Sequence, residues 1–227
     1  MLEEQLDKVV LEQFNLPVAP TVNLSKWNQF VKQHKNPKSQ ITIGLVGKYV
    51  ELQDSYKSIL EAFIHAGAEN EVKVKVESIH SEYITTANIV EKVKHLDAIL
   101  VAPGFGERGI EGKIQAVQYA RENKIPFLGI CLGMQMAVIE YSRNVLGLKD
   151  ATSIEQDVDA KNPVISLMEE QKNITDMGGT MRLGAWECSL TEGSFVHNAY
   201  QTTDIKERHR HRSVSYTHLT LPTICSV

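Results

Sequence analysis

Apolar positions fall in two rhythms along the chain. From residue 41 onward, "ITIGLV", "VKVKVESI", "DAILVA" and "IPFLGI" are short apolar or alternating runs, the period expected of strands. Between and after them, residues 54–68, 86–95, 110–122 and 132–143 carry apolar residues at helical spacing. Strands alternating with helices of this length predict βαβ units. The expected fold class is therefore α/β, an open and mostly parallel sheet covered by helices on both faces. Function in such sheets gathers beyond the carboxyl ends of the strands.

The flanks differ from this middle. Residues 1–38 hold two short helical patterns, "EEQLDKVVLEQF" and "LSKWNQFVKQH", separated by Pro17 and Pro20 and closed by Pro37. They read as the end of another domain followed by a linker. After residue 150 the pattern loosens into polar segments around "KNPVISLM" and "MRLGAWECSL", with the Gly-rich turn "DMGGTM" between them. The last 15 residues, "SVSYTHLTLPTICSV", contain no Asp, Glu, Lys or Arg. Two readings of that stretch stand: an unstructured tail, or sequence foreign to the rest.

Composition narrows the function classes. With 227 residues, 42% of them hydrophobic, the chain is long enough for a real core. The net charge of -4 comes from interspersed charges, and the local cluster "RHRHR" at 208–212 is too short for a nucleic-acid surface. No run approaches the roughly 20 apolar residues that span a bilayer, and "MLEEQLDKVV" is acidic where a secretory signal is basic and then apolar. A cytoplasmic protein without nucleic-acid or membrane partners is expected. Cys131, Cys188 and Cys225 form no CxxC pair, which argues against a zinc site or a disulfide framework.

The chemistry concentrates in two glycine turns. "GICLG", residues 129–133, has the form of a nucleophile elbow, with glycines on both sides of Cys131 between a strand and a helix. A helix N-terminus there favours thiolate over thiol, and the Leu132 N–H is placed to face an oxyanion. The plainer account of Cys131 is a small buried apolar residue. "APGFGERG", residues 102–109, spells G-x-G-x-x-G in Gly104, Gly106 and Gly109. That spacing suits a dinucleotide site, but it follows the third strand where such sites follow the first. Two adjacent glycine turns also suit one shared site, with Gly104 as the first backbone donor after Pro103. "GLVGKY", residues 44–49, lacks the phosphate-loop spacing and reads as a strand end.

No convincing base accompanies the cysteine. His80, in "HSE", has a carboxylate two residues on at Glu82, and His209 and His211 lie among three arginines where an imidazolium is disfavoured. A cysteine hydrolase using His80 and a non-catalytic ligand-binding regulatory module stay open as readings.

Longer stretches carry a resemblance. "IGLVGKYVELQDSYKSILEAFIHAG", "GFGERGIEGKIQAVQYARENKIPFLGICLGMQMAVIEYSRNVLGL", "GGTMRLGAWEC" and "ERHRHR" resemble, in order, the class I glutamine amidotransferase domain of the CTP synthases. The resemblance runs over about residues 1–212, and "LPVAPTVNLSKWNQFV" is similar to the end of that family's synthetase domain and its linker. It implies a division into residues 1–38 (synthetase end and linker), 39–212 (amidotransferase) and 213–227 (a non-native tail).

The same resemblance implies Cys131 as the nucleophile that forms a glutamyl thioester. It implies Gly104 at the oxyanion side, Leu132, Gly133, Met134 and Gln135 along the substrate, Glu155 on the glutamine amino group and Arg212 near its carboxylate. "NITDMGGTMRLG" is similar to the lid loop that couples GTP to glutamine hydrolysis. For the parent enzyme it implies UTP, ATP with Mg2+, GTP as activator, a synthetase domain in the same chain and a homotetramer. No metal belongs to the amidotransferase site itself.

Two departures matter. The family often has Pro-Gly-Gly-Phe-Gly where this chain has Ala102-Pro103-Gly104-Phe105-Gly106. The family's "FHPE" motif, whose His and Glu complete the triad, does not follow Arg212. The expectation is a fragment cut at both ends, with impaired glutamine hydrolysis.

Overall fold

The computed structural model describes residues 5–18, 23–167, 182–211 and 213–215. The chain divides into two compact units, Met1–Gln40 with Glu61–Lys73, and Ile41–Leu60 with Val74–Val227. Among the described residues, no helix is long and apolar enough to cross a membrane.

The first unit contains the two expected N-terminal helices, α1 (Leu6–Gln13) and α2 (Ser25–Lys35). Lys32, His34 and Lys35 fill the last turn of α2, where positive charge complements the helix dipole. The helix stops at Asn36, whose amide side chain returns to the Lys32 carbonyl at 2.8 Å. Phe30 is the aromatic centre of this unit, stacked on Trp27 at 5.5 Å and met edge-on by His65 at 5.4 Å.

The second unit is built on a four-stranded sheet in the order β2-β1-β3-β4, from β1 (Ser39–Gly47), β2 (Val72–His80), β3 (Ala98–Val101) and β4 (Phe127–Gly129). β1 and β3 run parallel with Val46 opposite Val101, and β3 and β4 run parallel with Val101 opposite Gly129. Parallel neighbours require crossovers, and this unit's include α4 (Ile89–Val93) and α5 (Ile110–Glu122), while α6 (Leu132–Asn144) follows β4 and α3 (Lys57–Glu69), most of which belongs to the first unit, precedes β2 in sequence. The expected α/β architecture is therefore present. Two helices differ from expectation: residues 53–56 form a 3₁₀ turn before α3, and the 86–95 segment reduces to the five residues of α4.

The core is one apolar cluster along this sheet. Val46, Val101, Met136 and Ile139 are fully buried in it, and Ala151, Val164 and Ile165 extend it under α6. Those last three lie on β5 (Ala151–Ser153) and β6 (Asn162–Leu167), a parallel pair whose far edge is taken by antiparallel β9 (Ser213–Ser215). Residues 213–215, expected within a tail, thus pair with Ile165–Leu167. The segment "MRLGAWECSL", read from sequence as loose and polar, contributes β7 (Arg182–Ser189). It pairs antiparallel with β8 (Asp204–His211) around the short helix α7 (Phe195–Tyr200).

Candidate active site

Cys131 sits where β4 turns into α6, with φ 54° and ψ -110° at the helix N-cap. A positive φ on a residue with a side chain is strained, and such strain persists only where the surroundings enforce it. The glycines on either side show what enforces it. A Cβ on Gly129 would lie 2.6 Å from the Gly133 carbonyl, and one on Gly133 would lie 2.1 Å from the Val101 oxygen. The backbone is folded onto itself and onto β3, so only glycine fits at both places. Hydrogen bonds complete the elbow: the Ile130 N–H donates to the Val101 oxygen at 3.1 Å, and the Gly133 N–H to the Ile130 oxygen at 2.9 Å.

The electrostatics of the thiol reverse one expectation. Burial pushes the Cys131 thiol above its ordinary pKa. The Leu132 N–H donates to the sulfur and pulls the other way, the Glu155 carboxylate raises it further, and the Lys113 ammonium lowers it. The helix N-terminus does favour thiolate, but desolvation outweighs it.

Facing Cys131 is the turn after β3. Because Val101 pairs with Gly129, the turns leaving β3 and β4 are neighbours at the same end of the sheet. A Cβ on Gly104 would lie 3.6 Å from the Leu132 side chain and 3.5 Å from Lys113 Nζ. Gly106 and Gly109 both adopt positive φ, and Gly109 caps α5. Two lysines support this turn. Lys48 follows directly on β1 and donates to the Phe105 carbonyl, and Lys113 donates from α5 to the Ala102 carbonyl at 3.1 Å. Both are buried, Lys113 completely. Burial and the Lys48 charge lower Lys113 to about 8.

The third side comes from β5. Glu155 lies two residues past its end, with its N–H donating to Ser153 Oγ at 3.2 Å. Arg143 of α6 holds β5 in place through the Ala151 carbonyl at 2.7 Å. The structure thus brings Gly104, Cys131, Leu132 and Glu155 to one place. Gly133 and Gln135 are buried in the first turn of α6, and Met134 is half-buried beside them. Arg212 lies outside the described residues, as does residues 173–181 of the expected lid loop.

His80 is not at this site. It ends β2, three strand spacings or about 14 Å across the sheet from β4. Its Nδ1 accepts from the Glu82 N–H at 3.3 Å, and its ring stacks on Tyr83. His209 is buried on β8. Sequence reasoning missed the two lysines. "GLVGKY" passed as a strand end, yet Lys113 carried a signal: it shares the apolar helical face of Ile110, Ile114 and Val117, where a lysine is out of place.

The model of the family "Glutamine amidotransferase class-I" matches residues 51–225, most of the chain. The chain belongs to the class-I glutamine amidotransferase family. Among amidotransferase-containing relatives, it is 68% identical to the CTP synthase of Christiangramia forsetii and 67% identical to that of Flavobacterium psychrophilum, each over 212 residues or 93% of this chain. It spans about two fifths of the length of these relatives, 39% and 40% respectively. The solved glutaminase domain of Trypanosoma brucei CTPS, with bound acivicin, superposes with a TM-score of 0.70 at 38% identity, covering 77% of this chain and 68% of that one.

Proposed function

We propose that this chain carries the glutamine-hydrolysing part of a CTP synthase, with residues 39–212 as the amidotransferase domain and residues 1–38 as the end of a synthetase domain and its linker. The single observation that carries the reading is Cys131, held at φ 54° between glycines that cannot carry a side chain. The sulfur attacks the carboxamide carbon of glutamine, and the carbonyl electrons move onto oxygen. The N–H groups of Leu132 and Gly104 receive that oxyanion. Collapse breaks the C–N bond, and the nitrogen leaves as ammonia carrying the proton that the thiol gave up. Water then cleaves the thioester to glutamate. Gly133, Met134 and Gln135 line the substrate, Glu155 takes its amino group, and Arg212 takes its carboxylate, one fixed charge of each sign for a zwitterion.

Among the described residues, the charged groups acting on Cys131 are Glu155 and Lys113, with no histidine among them. A positioned general base contributes about 10²- to 10⁴-fold in rate, whereas covalent capture of an electrophile at sulfur needs only the nucleophile. In the whole cytoplasmic enzyme the ammonia aminates UTP activated by ATP and Mg2+, GTP promotes the hydrolysis, and four copies assemble. The test is incubation with acivicin and peptide mass spectrometry. One adduct on Cys131, absent from Cys131→Ala, is the expected result; labelling that survives Cys131→Ala overturns the assignment.

A further inference from the structure

Lys113 is the one completely buried lysine among the described residues, and its surroundings leave its charge uncompensated. Lysine is rarely fully buried unless paired, because an ammonium loses its hydration and regains it only through partners. Here the ammonium makes one hydrogen bond, to the Ala102 carbonyl, out of three it can donate. No carboxylate lies within ion-pairing distance of it among the described residues. The charged or titratable groups that act on it are Lys48, from the end of β1, and Cys131, from the start of α6. Glu155, beyond β5, acts on Cys131. The turn from Ala102 to Gly106 is thus held by two buried lysines, and among the described residues neither has a carboxylate at ion-pairing distance.

An uncompensated cation at this position becomes useful when an anion forms beside it. A Cβ on Gly104 would lie 3.5 Å from Lys113 Nζ and 3.6 Å from the side chain of Leu132, the residue after Cys131, so the ammonium and the start of α6 meet at the same turn. Attraction that grows as charge develops lowers a barrier, whereas attraction present throughout does not.

We propose that Lys113 is a positioning residue for the chemistry of Cys131, anchoring the root of the oxyanion turn through the Ala102 carbonyl and supplying the positive charge against which the anionic sulfur forms. This rests on Cys131 being the nucleophile. The lowered protonation range of Lys113 and the downward pull of Lys113 on the thiol agree with the geometry. A purely structural lysine would hold the turn without altering the ionisation of the sulfur.

The experiment is the pH dependence of Cys131 alkylation by iodoacetamide, with the adduct located by peptide mass spectrometry, for the unaltered chain, Lys113→Met and Lys113→Gln. Met removes both the hydrogen bond and the charge, while Gln keeps a donor for the Ala102 carbonyl. Both are expected to slow alkylation near neutrality, where the ammonium is charged, about three- to tenfold, with the difference closing above about pH 8 as Lys113 loses its proton. Profiles that superimpose on that of the unaltered chain overturn the proposal and leave the nucleophile reading intact. Absence of any Cys131 adduct in the unaltered chain brings down both. Should neither variant fold, the 15N resonance of the Lys113 ammonium in the unaltered chain is followed with pH, before and after Cys131 is capped with iodoacetamide. An inflection removed by capping supports the coupling, and a titration indifferent to capping overturns it.

Discussion

Gly133 packs its Cα against the carbonyl of Val101 so closely that a Cβ would lie 2.1 Å from the oxygen. The contact joins the first turn of α6 to the end of β3, and so fixes the nucleophile relative to the oxyanion turn. Gly133→Ala must push the helix start away from the strand. A displacement of about 1 Å at a reacting atom costs on the order of 10²-fold in rate, and overpacking costs about 1–3 kcal/mol. Acivicin labelling of Cys131 is expected to slow at least tenfold, with a lower urea midpoint. Labelling at the original rate would show that the elbow tolerates the shift.

Arg121 and Glu140 lock α5 to α6. The Glu140 carboxylate is 1% exposed and receives Arg121 Nε at 3.0 and 3.1 Å and a terminal guanidinium nitrogen at 2.7 Å. Removing one partner of a buried pair leaves the other charge unpaired, which costs about 3–5 kcal/mol, whereas replacing both by apolar residues is often neutral or better. Arg121→Met is expected near the lower end of that range in urea unfolding because Arg121 is part-exposed. Adding Glu140→Met to it should restore most of the loss. A double variant as unstable as the single one would show that the bonds, rather than the stranded carboxylate, carry the effect.

The two patterns that reported the fold most directly are those fixed by local chemistry. The short apolar runs at "ITIGLV" and "DAILVA" and the helical spacing of 110–122 and 132–143 correspond to β1, β3, α5 and α6, because a central parallel strand is buried on both faces and a helix on one. The glycines around Cys131 were legible for the same reason: a tight turn excludes side chains. The β7–β8 hairpin was not legible. "ERHRHR" has no apolar residue to mark its inward face, although His209 is buried on β8, so its strand pairing shows only in the register with Arg182–Ser189. The direction of the Cys131 thiol shift was also hidden, since desolvation by residues distant in sequence decides it. Lys113 lay in plain sight on an apolar face, yet only the packing of the 102–106 turn shows where its ammonium points.

Gly112 presents a case where helix propensity and packing predict opposite signs. Glycine within α5 weakens the helix by about 1 kcal/mol relative to alanine, so an exposed Gly→Ala change stabilises. At Gly112, a Cβ would lie 1.8 Å from the backbone oxygen of Ser81, and backbone cannot step aside as a flexible side chain can. Packing therefore wins. Gly112→Ala is expected to destabilise the chain by about 2 kcal/mol or more in urea unfolding, with α5 displaced from the turn at residues 81–83. A gain in stability would mean that this turn is looser than its packing shows.

The pH dependence of stability follows from Lys113 with a definite sign. Its folded pKa is lowered from 10.5 to about 8, so between those values the unfolded chain holds a proton that the folded chain has released. Stability from this group therefore rises with pH, from about 8 up to 10.5. The Cys131 thiol and the Tyr56 hydroxyl, both raised by burial, act oppositely. The folded chain keeps their protons longer, so their contribution is lost as pH climbs past the ordinary values of 9.0 and 10.0. The window in which Lys113 acts by itself is thus pH 8 to 9. There the unaltered chain should gain on the order of 1 kcal/mol relative to Lys113→Met, measured as the urea midpoint of both at pH 7, 8 and 9. At pH 7, where the buried ammonium is charged, Lys113→Met should be the more stable of the two by about 1–3 kcal/mol, because an apolar side chain of similar length removes the desolvation penalty. Equal stability at all three values would place the Lys113 ammonium in contact with water.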